Sequence, residues 1–241
     1  MSNAADTMML NNGTNDAAGC LTDDAMLDKI DKAYASPPWW YDIRGFFILC
    51  FSYRSTLQAQ IRFFGRNMGA RHAEVAVGTG TLLSIILNVR KMLRRPKVAI
   101  EGVDYAESML AGARKTFARH PSVSLSRQDA AAMNFEDNTF DTMNIANAIH
   151  CFPDVDGSLQ EAFRVLKPGA TLAVNALLYP RGPRLLRHIA ARINTWGIRK
   201  GILVTPFEQD DIRARFRDAG FEIVEETVSG NALMLLARKP Q

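Results

Sequence analysis

"AEVAVGTGTLLSIIL", residues 73–87, opens with the apolar run of a strand and closes with the spacing of a helix, and between them lies a hinge of Gly78, Thr79 and Gly80. Glycines without a Cβ let the backbone turn sharply and let a ligand lie against it, while the helix that follows presents unpaired N–H groups. A plain strand-to-helix turn is the alternative for such a loop taken alone. What the rest of the chain places beside it decides between the two.

Outward from the hinge the pattern is regular. Apolar strands are expected at "KVAIEGV" (97–103), "VSLSR" (123–127), "FDTMNIA" (140–146) and "ATLAVNALL" (170–178). Helical stretches separate them, among them "AESMLAGARKTFARH" and "GSLQEAFRVLK", the latter expected to stop at Pro168 and Gly169. Strands alternating with helices argue for βαβ units and a parallel sheet. A last helix, "EQDDIRARFRDAG", precedes "FEIVEETV" and "ALMLLARK", two strand-like runs joined by the turn "SGN". That ending predicts an antiparallel edge.

At 241 residues and 47% hydrophobic, the chain can bury one domain's core. Residues 1–22 lack apolar periodicity and are expected to be a disordered tail. Residues 23–70, rich in aromatics and punctuated by Pro37 and Pro38, read as a helical cap. Residues 71–241 form the main domain, with an insertion at 180–207 that carries many cations and no acid before Phe207. Three scattered cysteines provide neither a disulfide framework nor a zinc motif, so no metal is expected. The longest apolar run, "FFILCF", is far shorter than the roughly 20 residues that cross a bilayer. A soluble cytoplasmic protein is expected, and a net charge of +4 without an added basic domain does not point to nucleic acid.

In an open parallel sheet, ligands bind outside the carboxyl ends of the strands. Asp104 ends the second strand, 24 residues beyond Gly80, where a carboxylate can accept from both hydroxyls of a ribose; a cap for the next helix is the lesser alternative. Asp129 ends the third strand, placed to accept from an exocyclic amine such as that of adenine or to cap "AAAMNF". A dinucleotide fingerprint would want a third glycine where Leu83 stands, and a P-loop would want GxxxxGK[ST]. Glu74, an anion near the loop, opposes a phosphate and suits the ammonium of an amino acid. Adenosine joined to a charged amino acid describes S-adenosylmethionine.

"AEVAVGTG", "GVDYAESML", "RQDAAAMNFEDNTFDTMNIANAIHCFPD" and "EAFRVLKPGATLAV" together resemble the class I S-adenosylmethionine-dependent methyltransferases, in particular the small-molecule group that includes ubiquinone and menaquinone methyltransferases. The resemblance covers about residues 71–178. It implies a Rossmann-like, seven-stranded α/β sheet, mostly parallel with an antiparallel last strand and helices on both faces. It maps the glycine-rich loop to Glu74, Ala76, Gly78 and Gly80, the ribose acid to Asp104, the adenine neighbours to Tyr105, Met109, Asp129 and Ala130, and a fourth-strand contact to Asn147. Ala76 stands where the resemblance expects glycine.

The resemblance implies methyl transfer to O, N or C of a small, amphipathic or aromatic acceptor. The rival is a protein of the same fold that binds the cofactor without transferring methyl. His150, in "NAIHCFPD", is a candidate general base or a pocket-lining histidine. Tyr41, in "WWYDIRGFF", is a candidate lid over the cofactor or a core residue. In "RGPRLLRHIAARINTW" the apolar stripe of Leu185, Leu186, Ile189 and Ile193 is expected to dock on the sheet and cover the acceptor, with peripheral contact to an anionic membrane as the rival role. Oligomeric state has no signature here.

Overall fold

The computed structural model describes residues 56–181, 183–199 and 206–241. The expected tail, the cap before residue 56 and Tyr41 lie outside the described residues. In chain order the elements are α1 (Leu57–Arg66), β1 (Arg71–Val75), α2 (Thr81–Met92), β2 (Ala99–Asp104), α3 (Glu107–Thr116), β3 (Val123–Arg127), β4 (Phe140–Ile145), a 3-10 turn (Ile149–Cys151), α4 (Val155–Val165), β5 (Leu166–Leu177), α5 (Arg184–Arg199), α6 (Gln209–Asp218), β6 (Glu222–Ser229) and β7 (Ala232–Arg238).

The strands form one sheet in the order β3-β2-β1-β4-β5-β7-β6. All neighbours from β3 to β5 run parallel, and β7 is antiparallel to both β5 and β6. The last strand is reversed, as expected, but it lies one place in from the edge: the hairpin through Gly230 and Asn231 returns β7 between β5 and β6. Strand order changes direction between β1 and β4, and this is the crevice in which such sheets bind ligands.

Strand alternation sends side chains to two cores. Val75, Met143, Ile145, Leu172 and Val174 pack with Leu159 and Val165 of α4 and Ile212 and Phe216 of α6. On the other face Phe63 and Phe64 of α1 meet Leu83 and Ile86 of α2 and Ala113 and Phe117 beside α3. Arg90 ties this second layer together, donating to the Gly65 carbonyl at 2.7 Å at the end of α1.

Pro168 and Gly169 do not stop α4. The helix ends at Val165, Leu166 is already extended with ψ 141, and Lys167, Pro168 and Gly169 belong to β5. They form a bulge: Phe140 pairs with Leu166, and the next paired residues are Thr142 and Thr171. Gly169, at φ +79, donates to the Lys239 carbonyl at 2.9 Å. The partner strands outside the helix, not the local proline signal, fix where it ends.

The 180–207 insertion leaves and rejoins the sheet at one point, because Leu178 bridges Phe207 just beyond β5. Its described helix, α5, therefore emerges at the carboxyl edge, the side on which the glycine hinge opens.

Candidate functional site

The hinge continues β1 past its last sheet pair, with the Val77 N–H donating to the Val103 carbonyl at 3.0 Å, and then turns left-handed at Gly78 (φ +59) and Gly80 (φ +77). The two glycines serve different ends. A Cβ on Gly80 would lie 2.3 Å from the Phe117 ring, so this glycine permits α3 to close on the loop. A Cβ on Gly78 would meet nothing within 4 Å, so the loop faces open space there. Gly80 also caps α2 without a side-chain acceptor. Thr79 is buried against Gly112 of α3, and its carbonyl accepts from the Thr116 hydroxyl at 2.9 Å.

Asp104 joins hinge and second strand. Its Oδ2 accepts the Gly78 N–H at 2.8 Å and its Oδ1 accepts the Ala106 N–H at 2.9 Å. The cap reading holds in part: Asp104 braces the entry to α3, though Ala106 is the cap, and it also clamps the loop. Burial pushes its carboxyl pKa up, against the opposing pull of these backbone donors. The Tyr105 N–H is a third backbone donor to this carboxylate, so its two oxygens, with four lone-pair sites, keep one for a ligand hydroxyl.

Glu74 is buried on the α1 side of β1 and its Oε2 receives two donors, His72 Nε2 at 3.1 Å and Asn144 Nδ2 at 3.2 Å. His72 Nδ1 faces Thr142 Oγ1 at 2.8 Å, and that hydroxyl accepts the Gly69 N–H at 2.8 Å. The ring of His72 therefore stands between the carboxylate and the threonine hydroxyl, with one nitrogen on each. Among the described residues nothing donates to Glu74 Oε1. This network went unread in the sequence, although a histidine two residues before an acid on one strand must share its face.

Two non-glycine residues beside the crevice are left-handed, Ala76 (φ +55) after β1 and Asn147 (φ +56) after β4. Such strain clusters at functional sites. The Asn147 amide is engaged, with Oδ1 accepting from Gln60 at 2.9 Å and Asn175 at 2.6 Å and Nδ2 donating to Gln60 at 3.0 Å. Asn147 thus ties α1 to β4 and β5 at the crevice. Ala76 is strained where glycine would be at ease, and relief of about 1–2 kcal/mol exceeds glycine's added freedom of about 0.5–1 kcal/mol. Ala76→Gly is expected to stabilise the fold by up to about 1 kcal/mol and to tighten ligand binding. Urea unfolding and calorimetry check both; a lower unfolding midpoint would count against strain at this residue.

Met109 is buried in α3, and Tyr105 precedes the helix with its carbonyl accepting from Arg127 at 3.0 Å. Ser108 Oγ is shielded from solvent with no hydrogen-bond partner among the described residues, one turn before Gly112 on the face that packs against the hinge. Asp129 is exposed and its Oδ1 accepts the Ala131 N–H at 2.9 Å, so it shapes a turn that also carries Ala130 and not a helix. His150 is buried in the 3-10 turn after β4, and burial pushes its pKa down to about 3. A neutral imidazole with so little proton affinity is a weak general base. Among the described residues no cluster of His, Cys, Asp and Glu could hold a metal, and no helix is long and apolar enough to cross a membrane.

Residues 73–174, the span holding the hinge, Asp104, Asn147 and His150, match the methyltransferase domain family. Over this span the chain is similar to S-adenosylmethionine-dependent methyltransferases. It is 36% identical over 124 residues to the ubiquinone/menaquinone biosynthesis C-methyltransferase UbiE of Geobacter sulfurreducens, an alignment covering 50% of this chain and 46% of that protein. It is 29% identical over 217 residues to methyltransferase ctvB of Aspergillus terreus, covering 84% of this chain and 90% of that one. A solved structure of an S-adenosylmethionine-dependent methyltransferase from Aquifex aeolicus superposes with a TM-score of 0.59 at 19% identity, over 90% of this chain and 98% of that chain, which establishes the shared fold. The match to the quinone-pathway relatives spans about half of their length.

Proposed function

We propose that this protein transfers the methyl group of S-adenosylmethionine to O, N or C of a small amphipathic or aromatic molecule in the cytoplasm. The observation that carries the reading is the clamp of Gly78 on Asp104 at the sheet's switch point, with open space over Gly78 and acceptors on both sides of it. Asp104 would take a ribose hydroxyl, Gly78 would let the cofactor approach the backbone, and Glu74 Oε1 would face its ammonium. Tyr105, Met109, Ala130 and Asp129 would surround the adenine, the last as acceptor for its amine. Thr79 supports the loop from below, and Ser108 offers a hydroxyl in need of a partner. When bound, the cofactor supplies an electrophilic sulfonium methyl. The chain's own contribution is to align donor and acceptor and to exclude water.

The similarity to quinone-pathway methyltransferases supports an amphipathic acceptor. Titration of the intact protein with S-adenosylmethionine, followed by transfer of its labelled methyl to a panel of hydroquinones, phenols and lipid amines, tests the proposal. Binding with label transfer is expected. Absence of binding would overturn the cofactor assignment, while binding without transfer would favour the second reading, a non-methylating protein of this fold, which the strained Ala76 in place of glycine keeps in view.

A further inference from the structure

The apolar stripe of α5 does not dock on the sheet. Ala190 (0% exposed) and Asn194 are its buried side chains, while Leu185 (73%), Ile189 (38%) and Trp196 (42%) stand out to solvent. Their spacing of four and seven residues places them along one ridge of the helix. The same periodicity puts Arg192 and Arg199 directly beside the ridge and His188 and Arg184 further round on the same side, while Arg187 shares the face of Ala190 and Asn194. No acidic residue occurs between residues 180 and 206. Arg184, Arg187, Arg192 and Arg199 form no ion pair among the described residues, whereas cations elsewhere, such as Arg164 and Arg213, are held by carboxylates.

We infer that α5 is a docking surface for an anionic lipid bilayer. An exposed apolar ridge bordered by uncompensated arginines and bearing a tryptophan is the surface that lies in the headgroup region, apolar side chains inward and guanidinium groups on the phosphates. The pairing of Leu178 with Phe207 fixes both ends of the insertion at the carboxyl edge, so a docked α5 holds that edge toward the lipid. A second patch with exposed Met92 and Leu93 lies at the end of α2, near Lys91, Arg94, Arg95 and Lys97, but at the opposite edge of the sheet. It provides an internal control. The docking surface stands whether or not methyl is transferred, since vesicle binding and label transfer are separate assays.

The experiment is co-sedimentation of the intact protein with vesicles of phosphatidylcholine alone or mixed with phosphatidylserine, at low and high salt. Binding is expected to the mixed vesicles only, and to weaken with salt. Neutralising Arg184, Arg192 and Arg199 to glutamine should lower partitioning at least about tenfold, as should Leu185→Ser with Ile189→Ser and Trp196→Ala; glutamine at Lys91, Arg94, Arg95 and Lys97 should change it only about twofold or less. All these side chains are exposed, and circular dichroism confirms that the variants fold. The inference is overturned if the intact protein ignores mixed vesicles, if the α2 variant loses binding while the α5 variants keep it, or if the α5 substitutions instead dissolve a dimer without altering vesicle partitioning.

Discussion

On acidification from pH 6.5, the folded state is expected to lose stability at up to about 1.4 kcal/mol per pH unit through His150 alone, reaching about 5 kcal/mol near pH 3. The cause is burial: the imidazole has an ordinary pKa of 6.5 in the unfolded chain and one of about 3 in the fold. Between these values the unfolded chain binds a proton that the folded one refuses, so the stabilisation is complete above pH 6.5 and is lost as pH falls. Urea unfolding at pH 7 and pH 5 on the wild type and His150→Asn checks this. The wild type should lose about 2 kcal/mol that the variant retains, and parallel losses would show that His150 is not the group responsible. The same burial bears on chemistry. His150→Asn is expected to slow methyl transfer only a few fold, without removing any limb of the pH–rate profile near 6.5.

The hinge and its acid were legible because their signals are local. Gly78, Thr79 and Gly80 between a strand and a helix, and an Asp at the next strand's end, need only the alternation of elements to bring them together. β3 was read to the residue, Val123–Arg127, for the same reason. Pro168 and Gly169 misled because their power to stop a helix is local, while their actual place is set by β4 and by Lys239, each distant in sequence. The stripe on α5 misled in another way. Periodicity tells which side of a helix is apolar, but not which side is docked, and here Ala190 and Asn194 make the buried contact.

Site residues with more than one role were legible only in part. Asn147 was expected at the crevice and is there, yet its amide is spent on Gln60 and Asn175, two residues on other elements. The pairing of Glu74 with His72 lies within a single strand, and period-two alternation alone could have found it. Asn144 and Thr142, which complete that network, could be found only once the parallel register of β1 with β4 was known.

Asp104→Ala is expected to weaken S-adenosylmethionine binding by about 1–3 kcal/mol, because the ribose would lose a charged acceptor. The structure adds a second consequence. The same substitution strips the Gly78 and Ala106 N–H groups of their acceptor, so unfolding free energy should fall by about 1–3 kcal/mol as well. Asp104→Asn separates the effects, since its single carbonyl can hold one N–H but brings an amide donor to the other. It should recover part of the stability and little of the affinity. The pH dependence has opposite signs for folding and for binding. Burial raises the carboxyl pKa, so this group favours the fold as pH falls into the raised range and costs stability as pH rises through it. Ribose binding needs the ionised form, so affinity should decline on acidification at a pH above the ordinary carboxylate range. Calorimetric titrations at stepped pH, on protein shown to be folded at each step, read this directly. Affinity that holds constant down to the ordinary aspartate range in the wild type, or that is unchanged in Asp104→Ala, would remove Asp104 from the ribose.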